Sequence, residues 1–192
     1  MSDAREPLIS GFFHGGIAVS DMERSLSFYR DALGLEVHFD VTLDAVDYVR
    51  AVLGVEMRDA RLVYLRVPGS EGVFVELIEY RGTDGRPARP RAWDPGTGHL
   101  CFHVSDAASL HARAIELGFR SRSPAVASIP VGPNRGGRAA YLLDPDGYHV
   151  ELFQRPAAAD LDLGPPDPEV EPDPDDQAHP GTRQEDADDP PR

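Results

Sequence analysis

The feature that most constrains this chain is a pattern it states twice. His14-Gly15-Gly16-Ile17-Ala18-Val19-Ser20-Asp21 and His99-Leu100-Cys101-Phe102-His103-Val104-Ser105-Asp106 each run histidine, four residues, then Val-Ser-Asp. Repetition on this scale sets the architecture before local propensity does, because repeated supersecondary units bury together what neither buries alone. In each copy the apolar residues alternate. Ile17 and Val19 fall on one strand face and His14 on the other; Leu100, Phe102 and Val104 fall opposite His99, Cys101 and His103.

The repeat continues past both strands. Ser20-Asp21-Met22-Glu23 reads as a capping box, and Met22, Leu26, Tyr29 and Leu33 recur at helical spacing before Gly34. Behind Ser105-Asp106, the residues Ala107, Leu110, Ala114 and Leu117 do the same before Gly118, and glycine is the usual left-handed terminator of a helix. Each copy then closes on a strand carrying Val-Glu-Leu, at 74–79 and at 148–154. Further strands are predicted at 35–42, 61–67, 119–122, 126–129 and 138–143, with an extra helix at 44–53 and a tight turn at Asp144-Pro145-Asp146-Gly147. The fold class is therefore α+β. Two tandem βαβββ modules occupy 12–79 and 97–155, after an N-terminal extension at 1–11. A linker at 80–96 joins them, carrying Arg81, Arg86, Arg89, Arg91 and Trp93, with its arginines placed to contact an anionic substrate tail or simply to be solvated.

Composition enters at the C-terminal end. Residues 157–192 hold twelve acidic side chains against Arg183 and Arg192, so ten of the fourteen net negative charges sit there. A stretch so rich in Pro and Asp buries too little apolar surface to offset its ordering entropy, and 156–192 is expected to be a disordered, solubilising tail. The single cysteine, Cys101, excludes an internal disulfide and a cysteine-rich metal cluster. All 19 basic residues are arginine, which excludes lysine Schiff-base chemistry. No apolar run is long enough to span a bilayer, and no basic aromatic stripe suits nucleic acid. The expectation is a cytoplasmic protein acting on a small molecule, without membrane or nucleic-acid partners.

Four residues then stand at equivalent places: His14 and Glu76 in the first module, His99 and Glu151 in the second. All four lie at the opposite strand parity to their apolar neighbours. If helices cover the apolar faces, the imidazoles and carboxylates project from the uncovered ones, and pairing the modules about a pseudo-twofold axis would gather them at one point. Two histidines and two glutamates suit one divalent ion, Zn, Ni, Co, Mn or Fe. Taken singly, each residue reads equally well as an ordinary solvent-facing side chain. Their repetition is what points to a metal.

These residues, HGGIAVSDMERSLSFYRDALGL from His14, Val75-Glu76-Leu77, Gly98-His99 and the LDPDGYHVEL run ending at Leu152, resemble the vicinal oxygen chelate superfamily. That superfamily includes glyoxalase I, methylmalonyl-CoA epimerase, extradiol dioxygenases, and fosfomycin- and bleomycin-resistance proteins. The resemblance covers about residues 12–155. It implies paired βαβββ modules whose sheets curve around a central metal held at positions matching His14, Glu76, His99 and Glu151. It also implies that the modules can pair within one chain or be exchanged across a homodimer. Tyr141, just before the Asp-Pro-Asp-Gly turn, matches a tyrosine of the fosfomycin group.

The residues and the resemblance together lead to a glyoxalase- or epimerase-like lyase or isomerase. It would transfer a proton α to a metal-chelated carbonyl, with Glu151 as base and Glu76 as its opposite-face partner. His149, on the Glu151 side of its strand, Tyr141, and Arg135 and Arg138 beside Gly136-Gly137 are the candidate substrate contacts. Two alternatives stay open. One is Fe(II) extradiol ring cleavage, using two histidines and Glu151. The other is non-enzymatic sequestration of a drug or metabolite in a cavity lined by Trp93, Tyr141 and Tyr148.

Overall fold

The computed structural model describes residues 8–44, 47–88 and 90–156. The acidic tail predicted from composition and the first seven residues of the N-terminal extension lie outside them. The first module runs β1 (His14–Ala18), α1 (Met22–Leu26, continued by a π-helical turn over Ser27–Ala32), β2 (Glu36–Leu43), α2 (Asp47–Leu53), β3 (Asp59–Arg66) and β4 (Phe74–Arg81). The second runs β5 (His99–His103), α3 (Ala107–Glu116), β6 (Arg120–Ser121), β7 (Ala127–Ser128), β8 (Arg138–Leu143) and β9 (His149–Gln154). Each is a βαβββ unit with one insertion between its second and third principal strands, α2 in the first and β7 in the second.

The two sheets share one plan. Strand order is β1-β4-β3-β2 in the first and β5-β9-β8-β6 in the second, with β7 also on β8. In each, the first strand runs parallel to the last while the hairpins are antiparallel. Gly34 and Gly118 close the two helices at φ +82° and +85°, a backbone region where a side chain would be strained. At the helix starts the predicted capping box is corrected. Asp21, not Ser20, is the cap, accepting from Arg24 N at 3.0 Å. Ser20 instead donates its backbone N–H to Asp146 at 2.8 Å, and Glu23 pairs with Arg61.

That Ser20 contact belongs to the seam between modules. Phe28 and Tyr29 of the π-helical turn are fully buried, and Phe28 meets Phe119 edge-on at 5.0 Å. The Tyr29 hydroxyl donates to Asp144 at 3.0 Å, and an Arg24 N–H donates to the Pro145 carbonyl. Burial first, and then the Asp144 charge, holds the Tyr29 phenol well above its ordinary pKa; burial likewise raises Asp144. The Asp-Pro-Asp-Gly turn of the second module is thus fastened to the first helix of the first.

One apolar core results. Ile17, Met22, Leu26, Val63, Leu65, Val75 and Leu77 join Ala107, Ala114, Leu142, Val150 and Leu152 in a single buried cluster. The core faces of both sheets therefore turn toward each other, with the helices between them. A smaller core of Met57 and Ala60, with Leu43, Val49, Leu62 and Tyr80 packed on it, sits under α2 on the opposite face of the first sheet. Among the described residues, no helix is long and apolar enough to cross a membrane.

Candidate metal centre

Each parallel strand pair builds one histidine–glutamate pair. His14 stands opposite Phe74 in the β1–β4 ladder, which puts Glu76 two residues further along on the same face. His99 stands opposite His149 in the β5–β9 ladder, and Glu151 is again two residues on. The geometry that follows is nearly identical. His14 Nε2 lies 3.0 Å from Glu76 Oε2, and His99 Nε2 lies 3.1 Å from Glu151 Oε2. Adjacent ligands bound at about 2.0–2.2 Å from one ion also stand roughly 3 Å apart. Each pair therefore fits two neighbouring positions of one coordination sphere.

The chain does not bring all four together. Among the described residues no group of three or more His, Cys, Asp or Glu side chains is arranged to hold an ion. The reason is the packing: the faces that bury against each other are the apolar ones, so the two pairs point away from the shared core rather than into a common cavity.

A tyrosine joins each pair: Tyr141, named from the sequence as a substrate contact, and Tyr64, which the sequence reading missed. Tyr64 on β3 faces Glu76 in the β3–β4 ladder, and Tyr141 on β8 faces Glu151 in the β8–β9 ladder. Tyr141 donates its hydroxyl to Glu151 Oε2 at 3.1 Å and reaches His99 Nε2 at 3.4 Å. Both phenols are pushed up to about 12, by burial first and then by the facing glutamate. The only signal for Tyr64 in the sequence is its hairpin register, which needs the length of the turn at 67–73 to be read correctly.

The surroundings of the two pairs differ. A register shift between Val37 and Phe39 lets Phe39 stack on Tyr64 at 4.6 Å, while His38 stacks on Phe74 at 5.0 Å. Phe13 meets the His14 ring at 5.1 Å, completing an aromatic surround for the first pair. In the second pair the counterpart of Phe74 is His149, and the residue opposite Glu151 is Cys101 where the first module has Gly16 opposite Glu76. Burial, then Glu151, pushes the Cys101 thiol up to about 11, so it is no thiolate nucleophile. Burial also lowers the His149 pKa, with smaller contributions from Arg122 and His99.

A cavity of about 790 Å³ lies between β1, the linker and the turn before β9. Gly16, Tyr80, Thr83, Arg86, Tyr148 and His149 line it, but none of the four paired residues does. Gly16 connects it to the first pair, since a Cβ there would be 3.5 Å from Glu76 Oε2. His149 Nε2 is buried with no hydrogen-bond partner.

The remaining predicted contacts scatter. Arg138 shares the strand parity of buried Ala140 and Leu142, on the sheet face opposite Tyr141, where its charge helps to lower Asp106. Arg135 lies in an exposed loop. Trp93 is 66% exposed and carries the Arg91 and Arg122 guanidinium groups at 5.5 and 4.9 Å from its ring, so it caps the surface rather than lining the cavity.

The sequence and the fold have counterparts among known proteins. The family profile described as glyoxalase/bleomycin resistance protein/dioxygenase superfamily matches residues 11–152. A 2-epi-5-epi-valiolone epimerase from Actinomyces sp is 33% identical over 150 residues, covering 76% of this chain and 80% of that protein. A lactoylglutathione lyase from Pseudomonas putida is 30% identical over 163 residues, covering 74% of this chain and 84% of its own. A solved glyoxalase family protein from Bacillus cereus superposes with a TM-score of 0.68 at 14% identity, over 80% of this chain and 99% of that one, which is a likeness of fold.

Proposed function

The chain belongs to the glyoxalase/bleomycin resistance protein/dioxygenase superfamily, and from that premise we propose that it is a metal-dependent lyase or isomerase moving a proton α to a carbonyl. The observation that carries this reading is the duplicated pair, imidazole against carboxylate at 3.0 and 3.1 Å in the two modules. Relatives named as a lyase and as an epimerase support it.

A divalent ion held by His14, Glu76, His99 and Glu151 would supply Lewis-acid polarisation of the substrate's carbonyl. The chain's own groups do the rest. A carboxylate oxygen of Glu151 takes the α-proton, the C–H electron pair delocalises into the carbonyl, and the O–H so formed gives the proton back. Return from Glu151 to the neighbouring carbon gives the lyase outcome, whereas delivery from Glu76 on the other side gives inversion. A two-histidine, one-carboxylate dioxygenase set would leave Glu76, 7% exposed and already against His14, without a role.

Because one chain holds the two pairs apart, the complete site requires a second copy. β1 and β5, which carry the histidines, are both edge strands of their sheets, and exposed Phe13 and Phe39 flank the first pair through His14 and Tyr64. An isologous dimer that sets the first pair of one copy against the second pair of the other makes two equal four-ligand sites. Substrate would enter from the cavity beside Gly16, where hydroxyl and imidazole groups and Arg86 offer hydrogen bonds to a polar substrate.

The test is metal analysis of the purified protein together with solvent-deuterium exchange at the substrate α-carbon. About one divalent ion per chain, and exchange with at least one of a panel of hemithioacetals, acyl thioesters and polyhydroxylated ketones, is expected. Metal-loaded protein that exchanges none of them contradicts the reading.

A further inference from the structure

Tyr64 and Tyr141 repeat across the modules although their neighbours do not. Around the first pair stand Gly16 and Phe74; at the same ladder positions around the second stand Cys101 and His149. Only histidine, glutamate and tyrosine are kept. Packing alone would be served equally by phenylalanine, and Phe74 shows that the chain uses phenylalanine on this face. A buried phenol, by contrast, costs free energy unless its hydroxyl is bonded.

The bond it makes is selective. Tyr141 reaches Oε2 of Glu151, the same oxygen that faces His99 Nε2. The rings also repeat, with His14 to Tyr64 at 5.5 Å and 84° and His99 to Tyr141 at 5.3 Å and 66°. A glutamate carboxylate otherwise turns freely about its last torsion and can bind a cation through one oxygen or both.

We propose that Tyr141, bonded to Glu151 Oε2, and Tyr64, which faces Glu76 at the equivalent ladder position, are paired positioning residues, each tethering the glutamate oxygen beside the imidazole so that the other oxygen stays free to take or return the substrate proton. This rests on the metal-dependent reading above. Without the tether the carboxylate can chelate through both oxygens, and the proton acceptor is lost while the ion is kept. Neither tyrosine touches the proton itself.

The experiment loads the full chain, Tyr64→Phe, Tyr141→Phe and the double variant with Co²⁺ alone, and records stoichiometry and visible absorption, whose intensity falls as coordination number rises. Undiminished Co²⁺ stoichiometry with weaker absorption in each single variant is expected, and a further loss in the double. Where a substrate from the panel exchanges, its kcat should fall about 10–100-fold, with KM within about twofold of wild type. Variant spectra that superimpose on wild type would overturn the proposal, leaving the tyrosines as packing. A change in only one single variant overturns the paired assignment. Wild-type protein that binds no Co²⁺ fails the metal-dependent reading first, and is thereby distinguished from failure of the tether.

Discussion

The two histidine–glutamate pairs have the same skeleton and different surroundings. The first is walled by Phe13, Phe39, Tyr64 and Phe74, and its glutamate side chain is 7% exposed. The second is wetter, with Glu151 at 19% and His99 at 43%, and its neighbours are Cys101, Tyr141 and the buried His149. The repeated histidine–glutamate–tyrosine skeleton has thus been dressed as an apolar half and a polar half. The backbone register fixes where each histidine and glutamate stands, and the residues at intervening positions decide what else each half can do. A site assembled from one half of each kind offers a substrate an aromatic wall on one side and hydrogen-bonding groups on the other.

Removing the carboxylates one at a time should separate the two halves most strongly. Glu151→Gln should keep the ion, because an amide oxygen still ligates, yet lower α-hydrogen exchange by about 10²–10⁴-fold. Glu76→Gln should cost less when a lyase substrate is used and as much when the product is an inverted epimer. Equal losses from both variants with a lyase substrate would show that the halves share the proton chemistry evenly.

Exchanging the dressing should have a smaller effect. His149→Phe converts the second half toward the first. Metal content should stay at the wild-type level, while affinity for polar substrates weakens by about 0.5–1.5 kcal/mol, the worth of one ordinary hydrogen bond. Isothermal titration with a substrate or product analogue reads this directly, and tighter binding would contradict the role of the unpartnered Nε2.

The seam between halves can be tested without substrate. Tyr29→Phe removes the hydroxyl that donates to Asp144, and should lower stability by about 1–3 kcal/mol in one cooperative transition. Two separated calorimetric transitions would mean that the modules unfold independently. The smallest effect is expected from Arg138→Ala, which lies across the sheet from Tyr141; stability should move by no more than about 0.5 kcal/mol, with metal content and exchange unchanged.

Much of this was legible in the residues themselves. The repeated His, Val-Ser-Asp and Val-Glu-Leu runs set both histidine–glutamate pairs at equivalent places on the first and last strands of each module, and alternation put them on the face away from Ile17, Val75, Leu100 and Val150. Tyr64 was not legible, because its partner is set by a hairpin register that depends on how many residues the 67–73 turn consumes. Arg138 was named for its place beside Gly136-Gly137, which leaves out the period of two that sends its side chain and that of Tyr141 to opposite faces. The larger surprise was which faces meet. Alternation shows that a strand has an apolar side; it does not show that the apolar sides of both modules, filled by Phe28, Tyr29 and Leu142, close on each other and leave each ligand pair to find its complement elsewhere.

Subunit complementation shows whether a site forms between two copies. His14→Ala and His99→Ala each lack one ligand of every site, so each alone should bind little metal. If sites form between two copies, unfolding and refolding an equal mixture creates mixed dimers in which one site carries both missing histidines and the other carries none. Statistical assembly then restores about a quarter of the wild-type sites, with metal content and exchange activity rising together. A mixture that binds no more metal than its two components would contradict the shared site.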